Sequence, residues 1–441
     1  MKGLVNGLAG LARPALGTAA LAAVLALPAG PAGAWPLDGY PDTGIRRLEH
    51  DRLVVAGELE GRPPPVGARL PTSAIDLRLT DQADLDLPTP DPQFTAALRE
   101  LLGDNQEAYA LAVLDLTDPD AIAYAEWRGD YRQNVGSVGK LVAALGLFQG
   151  LADAWPDDTA KRWDVLHDTP VIADEFSQSD HHTVRFYDPE TGTGERRAIQ
   201  VGDEASLFEY LDWMVSVSSN SAAAMIMREA MLLRGLGEAY PPANASIDGF
   251  FDELGSRGRT ELFQETFWAP LERNGFDLER FRQGSFFTRG GKARVNGGGN
   301  SYATVRSLAL YALRMEQGRL VDEWSSRQLK RALYLTERRI RYASSPRLRD
   351  AAVWFKSGSL YSCKPEPGFD CGAYRGNVRN YMNSLAIVEQ EVDGRRIHYV
   401  SALISNKLRE NAAVAHQKLG GDVHELILAR HAGAGGDATA P

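Results

Sequence analysis

Cysteine is scarce in this chain: two in 441 residues, Cys363 and Cys371. Two thiol ligands cannot close a structural zinc site, so a zinc-finger class is excluded. Positive charge is short as well. Lys and Arg total 48 against 58 Asp and Glu, a net charge of −10. An acidic surface repels phosphate backbones, so no nucleic-acid partner is expected. No apolar run beyond residue 40 is long enough to span a bilayer. No Gly-x-Ser-x-Gly elbow surrounds a serine, which argues against an α/β-hydrolase. The stretch SVGK is no P-loop, because Asn134 stands where the first glycine is needed. No internal repeat is visible.

What is present begins with a basic and apolar start. Lys2 and Arg13 precede ALGTAALAAVLAL (15–27), then Pro28, Pro31 and the small residues Ala32, Gly33 and Ala34. This is the pattern of a secretory signal over 1–34, with an uncleaved membrane anchor as the alternative. A periplasmic or secreted location follows, with membrane contact only through that segment if it is retained. In an exported chain Cys363 and Cys371 are most simply a disulfide closing a short loop; two free thiols are the alternative.

Residues 35–92 are rich in Pro, Gly and charge and read as an amino-terminal extension without an assigned role. Within it RLVVAGELE (52–60) suggests a strand. DPQFTAALRELLGD (91–104) predicts a helix, capped by Asp91 with Pro92 in its first turn. YALAVLDL (109–116) and AIAYAEW (121–127) predict a hairpin. HTVRFYDPETGTGERRAIQV (182–201) predicts an exposed polar hairpin inserted among helices. SYATVRSLALYALRMEQGRLV (301–321) is an amphipathic helix ending near Gly318. Strands return at 351–361, 381–392 and 395–405, the last two joined by Asp393-Gly394. A short helix over 422–431 follows a Gly-Gly break, and 433–441 is a flexible tail. The fold class is α+β: an antiparallel sheet built from both chain ends, flanking helices and an inserted all-helical subdomain within a domain over 93–432.

The chemistry starts in RQNVGSVGKLVAALGLFQG. Ser137 and Lys140 lie three residues apart at the entrance to an apolar helix, hence on one face. A buried lysine loses proton affinity and can take a proton from a serine hydroxyl. The helix N-terminus favours negative charge developing there. The plainer alternative is that Ser137 only caps the helix and Lys140 reaches to water. Two further stretches bear on this. WMVSVSSNSAAAMIM puts Ser218 and Asn220 two residues apart before a small-residue helix. VWFKSGSL puts Lys356, Ser357, Gly358 and Ser359 at the end of a strand: a cation, hydroxyls, and a glycine beside which a substrate backbone could lie.

The order Ser-x-x-Lys, Ser-x-Asn, Lys-Ser-Gly resembles the penicillin-recognising serine hydrolases: serine β-lactamases, penicillin-binding proteins and D-alanyl-D-alanine peptidases. The resemblance runs over about residues 93–431 in the order of elements and is specific at the three motifs. It implies a β-lactamase-like fold. It implies that Ser137 is acylated, Lys140 is its base or relay, and Ser218 passes a proton to the leaving group. Asn220 would hold the substrate amide, Lys356 would tune Ser218, and Ser357 would bind a substrate carboxylate. The backbone N–H groups of Ser137 and Ser359 would form the oxyanion hole, with Gly358 between the binding serines. The substrate would be a peptide or β-lactam-like small molecule, with peptidoglycan as a candidate partner, and neither metal nor organic cofactor is implied.

One departure matters. Class A β-lactamases carry a deacylating glutamate between the second and third motifs. Glu261, Glu265 and Glu272 lie in that interval, none in the family's setting, and they read as surface helix charges. A D,D-peptidase-like or general amide/ester hydrolase is therefore preferred, with a class A β-lactamase as the alternative. The rival of another class is a catalytically silent relative that binds a muropeptide or protein. His181-His182 reads as a solvated turn rather than a metal site, there being no third ligand at helical spacing. The basic run TERRIRYASSPRLRD (336–350) reads as a solvated helix face rather than a contact for an anionic polymer.

Overall fold

The computed structural model describes residues 38–432 except 335 and 338. The signal-segment and tail readings lie outside these residues. Among the described residues no helix is long and apolar enough to cross a membrane.

The fold is α+β, with a central five-stranded antiparallel sheet. Its strands are β1 (Tyr109–Asp115), β2 (Ala123–Trp127), β3 (Ala352–Ser362), β4 (Arg379–Val392) and β5 (Arg395–Asn406), in the order β2-β1-β5-β4-β3. Both chain ends thus meet in one sheet, through register pairs such as Leu114 with Val400 and Ala112 with Ala402. The Asp393-Gly394 turn joins β4 to β5, and both its residues have positive φ, as a tight two-residue hairpin requires.

Alternation along the strands supplies two cores. Ala110, Ala112 and Leu114 of β1 face one side, and Leu111 and Val113 the other. The second face is covered by α2 (Pro92–Glu100) and the C-terminal α9 (Ala412–His431), with Phe94, Leu98, Leu419, Val423 and Ile427 inserted. Asp91 caps α2 by accepting from the Phe94 N–H. Helix α9 starts ten residues earlier than the 422–431 reading. Gly420 and Gly421 sit inside it as buried contact points: a Cβ on Gly420 would come within 2.8 Å of the Tyr342 carbonyl oxygen. Packing therefore overrides the helix-breaking tendency of two glycines.

The first face holds the larger core and the inserted helices. At its centre is α3 (Lys140–Ala154), in which Asp153 is the one residue not buried. An all-round apolar sequence such as LVAALGLF is stable as a helix only when surrounded. Around it pack α4 (Leu207–Val215), α5 (Asn220–Leu236) and α6 (Ile247–Phe267). Helix α7 (Val305–Glu316) lies against the sheet and beside α8 (Glu323–Tyr334). A Thr304–Ser307 capping box starts α7, and Gly318 at φ +71° follows its end.

The extension is not a strand at 52–60. It forms α1 (Arg46–Ala56), and Ile45, Leu48, Ile75 and Leu79 enter the same core as α3. Buried Arg47 is bidentate to Asp212 of α4, with both N···O contacts at 2.6 Å. Arg78 reaches Glu389 of β4. The pairs 184–188 and 193–197 form the expected hairpin, but it is covered on one side: Phe186 packs on Trp213. Cys363 and Cys371 are disulfide-bonded, closing the short loop that follows β3.

Candidate active site

Ser137 stands on a 3-10 turn, Gly136–Gly139, that runs directly into α3. This turn is fixed from three directions. Gln133 donates to Asn383 Oδ1 on β4 and to the Ser405 carbonyl on β5, at 2.9 and 3.0 Å. Asn134 Oδ1 accepts from the Gly136 N–H. Gly136 has φ +55°, a conformation that an L side chain resists.

Gly358 of β3 supplies the third constraint. A Cβ there would come within 2.0 Å of the Val135 carbonyl oxygen and 2.7 Å of the Ser137 nitrogen. The glycine lets the chain approach itself at this point, and it also lines the cleft. The Lys-Ser-Gly-Ser run also sits in the body of β3, which continues to Ser362, rather than at the strand's end.

Strand alternation then sorts the motif. Lys356 and Gly358 share the face of Trp354, toward the Ser137 turn. Ser357 and Ser359 share the face of Phe355.

Lys140, at the first position of α3, is fully buried. Its Nζ lies 3.1 Å from Ser137 Oγ, 2.6 Å from the Ser218 carbonyl oxygen, 2.8 Å from Asn220 Oδ1 and 3.3 Å from Ser218 Oγ. The two shortest contacts are to obligate acceptors. A neutral amine has two N–H groups for those and one lone pair left for the Ser137 hydroxyl. Burial lowers the Lys140 pKa to about 7, with the Asp180 charge opposing the fall. Lys356 Nζ lies 2.8 Å from the same Ser218 Oγ. Burial, followed by the charges of Lys140 and Arg341, pushes Lys356 well below the ordinary lysine range. Two dehydrated amines thus flank one hydroxyl, an arrangement suited to passing a proton through it.

Ser218 has φ +66°, uncommon for a residue with a side chain. The turn is held by the Ser219 N–H donating to the Trp213 carbonyl and by Ser219 capping α5. Ser219 is fully buried.

All eight expected site residues fall in one region. Ser137, Ser218, Lys356, Ser357, Gly358 and Ser359 line a cleft of about 230 Å³. Lys140 and Asn220 lie directly beneath, in contact with Ser137 and Ser218.

Sequence reasoning missed Arg341. The described residues of the 336–350 run are not a solvated helix face: they are irregular with short 3-10 turns, and Arg341 is largely buried in the cleft wall. Arg341 Nη1 donates to Ser357 Oγ at 2.8 Å and Nη2 to Ser359 Oγ at 3.0 Å. Its guanidinium stacks over Tyr374, 4.9 Å from the ring centroid. Burial depresses its proton affinity, partly offset by Tyr374. No sequence signal separated Arg341 from its basic neighbours, since period and context there are irregular.

No glutamate reaches Lys140 from the 252–277 interval. Glu261 is exposed on α6 and paired with Arg257. The segment that closes over Lys140 brings Phe287, whose ring centroid is 5.0 Å from Nζ. Buried Gln283 accompanies it: a Cβ on Gly139 would come within 2.2 Å of its Oε1.

Two clusters gather possible metal ligands. His181 and His182 do have a third neighbour, Asp180, but both its oxygens already accept several hydrogen bonds. Glu316, Glu389 and His398 surround the buried Lys330 ammonium, which bonds both carboxylates.

No family model and no curated protein matches the chain. Solved structures do. One is a point mutant of PBP-A, described as an acyl-enzyme complex with penicillin G. It is 14% identical over 78% of this chain and 100% of its own, with a TM-score of 0.47. A β-lactamase from Xanthomonas campestris pv. campestris is 16% identical, covers 76% of this chain and 97% of its own, and scores 0.46. The TLA-1 extended-spectrum β-lactamase is 12% identical, covers 77% and 100%, and scores 0.44.

Proposed function

We propose that the protein is an exported serine hydrolase of the penicillin-recognising type, D,D-peptidase-like and reactive toward β-lactams. The observation that carries this is the placement of a dehydrated amine, Lys140 Nζ, 3.1 Å from the Ser137 hydroxyl.

The chemistry follows from the contacts. Ser137 Oγ attacks an amide or ester carbonyl while its proton passes to the Lys140 lone pair. The Ser137 turn and β3 press together through Gly358, so the N–H groups of Ser137 and Ser359 are available to the oxyanion. Ser218 Oγ, between Lys140 and Lys356, relays the proton to the leaving nitrogen. Asn220, which accepts from Lys140 through Oδ1, keeps its amide N–H groups for the substrate amide. Ser357, Ser359 and Arg341 form a cationic, hydroxyl-lined end of the cleft that suits a substrate carboxylate. Peptides ending in a free carboxylate, such as peptidoglycan stems, have that chemistry.

Release of the acyl group is the slow step for a β-lactam. The position over Lys140 is taken by Phe287, an apolar ring that cannot activate water. That disfavours the class A alternative. The intact constellation disfavours a silent binding relative.

Labelling with a fluorescent penicillin tests the reading. The wild-type protein forms a long-lived covalent adduct, and Ser137→Ala forms none. A labelled Ser137→Ala protein, or an unlabelled wild type, would overturn it.

A further inference from the structure

The second motif is held by more than its own residues. Ser218 is held in a left-handed conformation, and the buried Ser219 after it carries no charge. A carboxylate arrives from elsewhere. Asp180, from the loop after the 3-10 turn Glu175–Ser177, places Oδ2 at 2.9 Å from Ser219 Oγ, 2.7 Å from the Asn220 N–H and 3.0 Å from the Ser221 N–H. These are the first donors of α5, where a negative charge is also favoured by the helix dipole. Oδ1 accepts from the His181 and His182 N–H groups and lies 2.6 Å from His182 Nδ1. His182 lines the cleft with Ser137 and Ser218.

We propose that Asp180 is a positioning residue of this active site: one oxygen holds the Ser218–Asn220 turn against Lys140, the other fixes His182 in the cleft wall. Asp180 touches no reacting atom. It acts through Ser218 and Asn220, whose carbonyl and amide oxygens accept from Lys140. Its side chain is held tightly enough to keep the charge. Burial pushes its proton affinity up, but His182 and the backbone N–H groups outweigh this and leave it far below the usual carboxylate range. That charge in turn supports the protonated form of Lys140.

The charged and titratable groups around Lys140 are few among the described residues. Asp180, His181 and His182 come from this loop, Lys356 from β3 and Arg341 from the segment before it. The start of α5 presents neutral Ser218 and Asn220, and the segment above presents neutral Phe287 and Gln283. Asp180 is the one anion in this set, so its removal has a definite sign. Lys140 loses the negative charge that opposes its deprotonation and releases its proton at lower pH.

The inference rests on the proposed serine-hydrolase reading for its kinetic readout, so the test has two arms. In the first, acylation of wild type and Asp180→Asn by a chromogenic β-lactam is followed against pH. The variant is expected to acylate at least tenfold more slowly, with the acid limb of the profile displaced to lower pH. A rate within twofold of wild type would overturn the proposal. So would a slower rate with an unmoved limb, which marks a merely structural role. In the second arm, lysine labelled with ¹³C at the ε carbon reports the Lys140 titration by NMR without any substrate. Asp180→Asn lowers that titration, and an unchanged one would overturn the proposal. Failure of wild type to acylate would strike the serine-hydrolase reading alone and leave this second arm to decide. Should Asp180→Asn not fold, Asp180→Ser combined with Ser219→Asp returns the carboxylate to the same turn. That protein is expected to acylate within tenfold of wild type, and a larger deficit would contradict the proposal.

Discussion

Arg341 Nη1 donates to Ser357 Oγ at 2.8 Å, joining a residue outside the three motifs to the third of them. The other arm of the guanidinium reaches Ser359 Oγ. Among the described residues no carboxylate pairs with it. A dehydrated cation whose partners are two serine hydroxyls and the Tyr374 side chain, at a cleft wall, is suited to an incoming anion. Arg341→Gln should therefore slow acylation by carboxylate-bearing β-lactams about 10- to 100-fold, the worth of a charge-assisted hydrogen bond. The corresponding methyl esters should be almost indifferent to the change. Competition between acid and ester forms measures this directly, and equal losses for both would remove Arg341 from substrate recognition.

Gly358 is expected to tolerate no side chain. A Cβ would overlap the Val135 carbonyl oxygen and crowd the Ser137 nitrogen. Either β3 or the Ser137 turn must move, at a cost of about 1–3 kcal/mol or more. Gly358→Ala should lower denaturant stability by that amount and reduce acylation at least 100-fold, because the oxyanion donors separate. Normal acylation in this variant would show that the two N–H groups do not work together.

The Phe287 ring centroid lies 5.0 Å from Lys140 Nζ, close enough for a side chain at this position to act beside that amine. Phe287→Glu is expected to raise β-lactam deacylation at least tenfold, within the usual range for a positioned general base. Nitrocefin kinetics should change from a burst followed by slow turnover to sustained hydrolysis. An unchanged adduct lifetime would show that the ring is not what limits release.

The extension makes a separate prediction about stability. Arg47 and Asp212 form a fully buried bidentate pair between α1 and α4. Removing one partner strands the other charge, so Arg47→Met should destabilise the fold by about 3–5 kcal/mol. The double change Arg47→Met with Asp212→Leu should recover most of that loss. Urea unfolding of the single and double variants decides it; equal stabilities for wild type and Arg47→Met would mean that the extension is dispensable to the core.

The parts of the fold that could be read from sequence were those governed by local chemistry. Asp91-Pro92 marked the start of α2, Asp393-Gly394 marked the β4–β5 turn, and alternating apolar residues marked the sheet. The three motifs were visible because each sets particular polar residue types at short spacing. What remained hidden depends on tertiary contacts. The 52–60 stretch has β-branched valines that suggest a strand, but α1 is stabilised by Leu48 and Arg47 docking on distant helices. Gly420-Gly421 suggests a break, yet both glycines serve close packing inside α9. The contact of Gly358 with Val135 and Ser137 was hidden because those residues are remote from it in sequence. Arg341 and Asp180 carry no motif at all. Their importance arises from where the fold delivers them, one to Ser357 and the other to the start of α5.

The pH dependence of Ser137 acylation tests the central claim most directly. Lys140, with its pKa brought to about 7 by burial, is a base only when deprotonated. The acylation rate should therefore be low at acidic pH, rise through a limb near 7, and level off above it. In Lys140→Met it should fall at least 100-fold and lose the limb. A wild-type rate that keeps climbing to the ordinary lysine range near 10, or a Lys140→Met protein that keeps the limb near 7, would contradict the account.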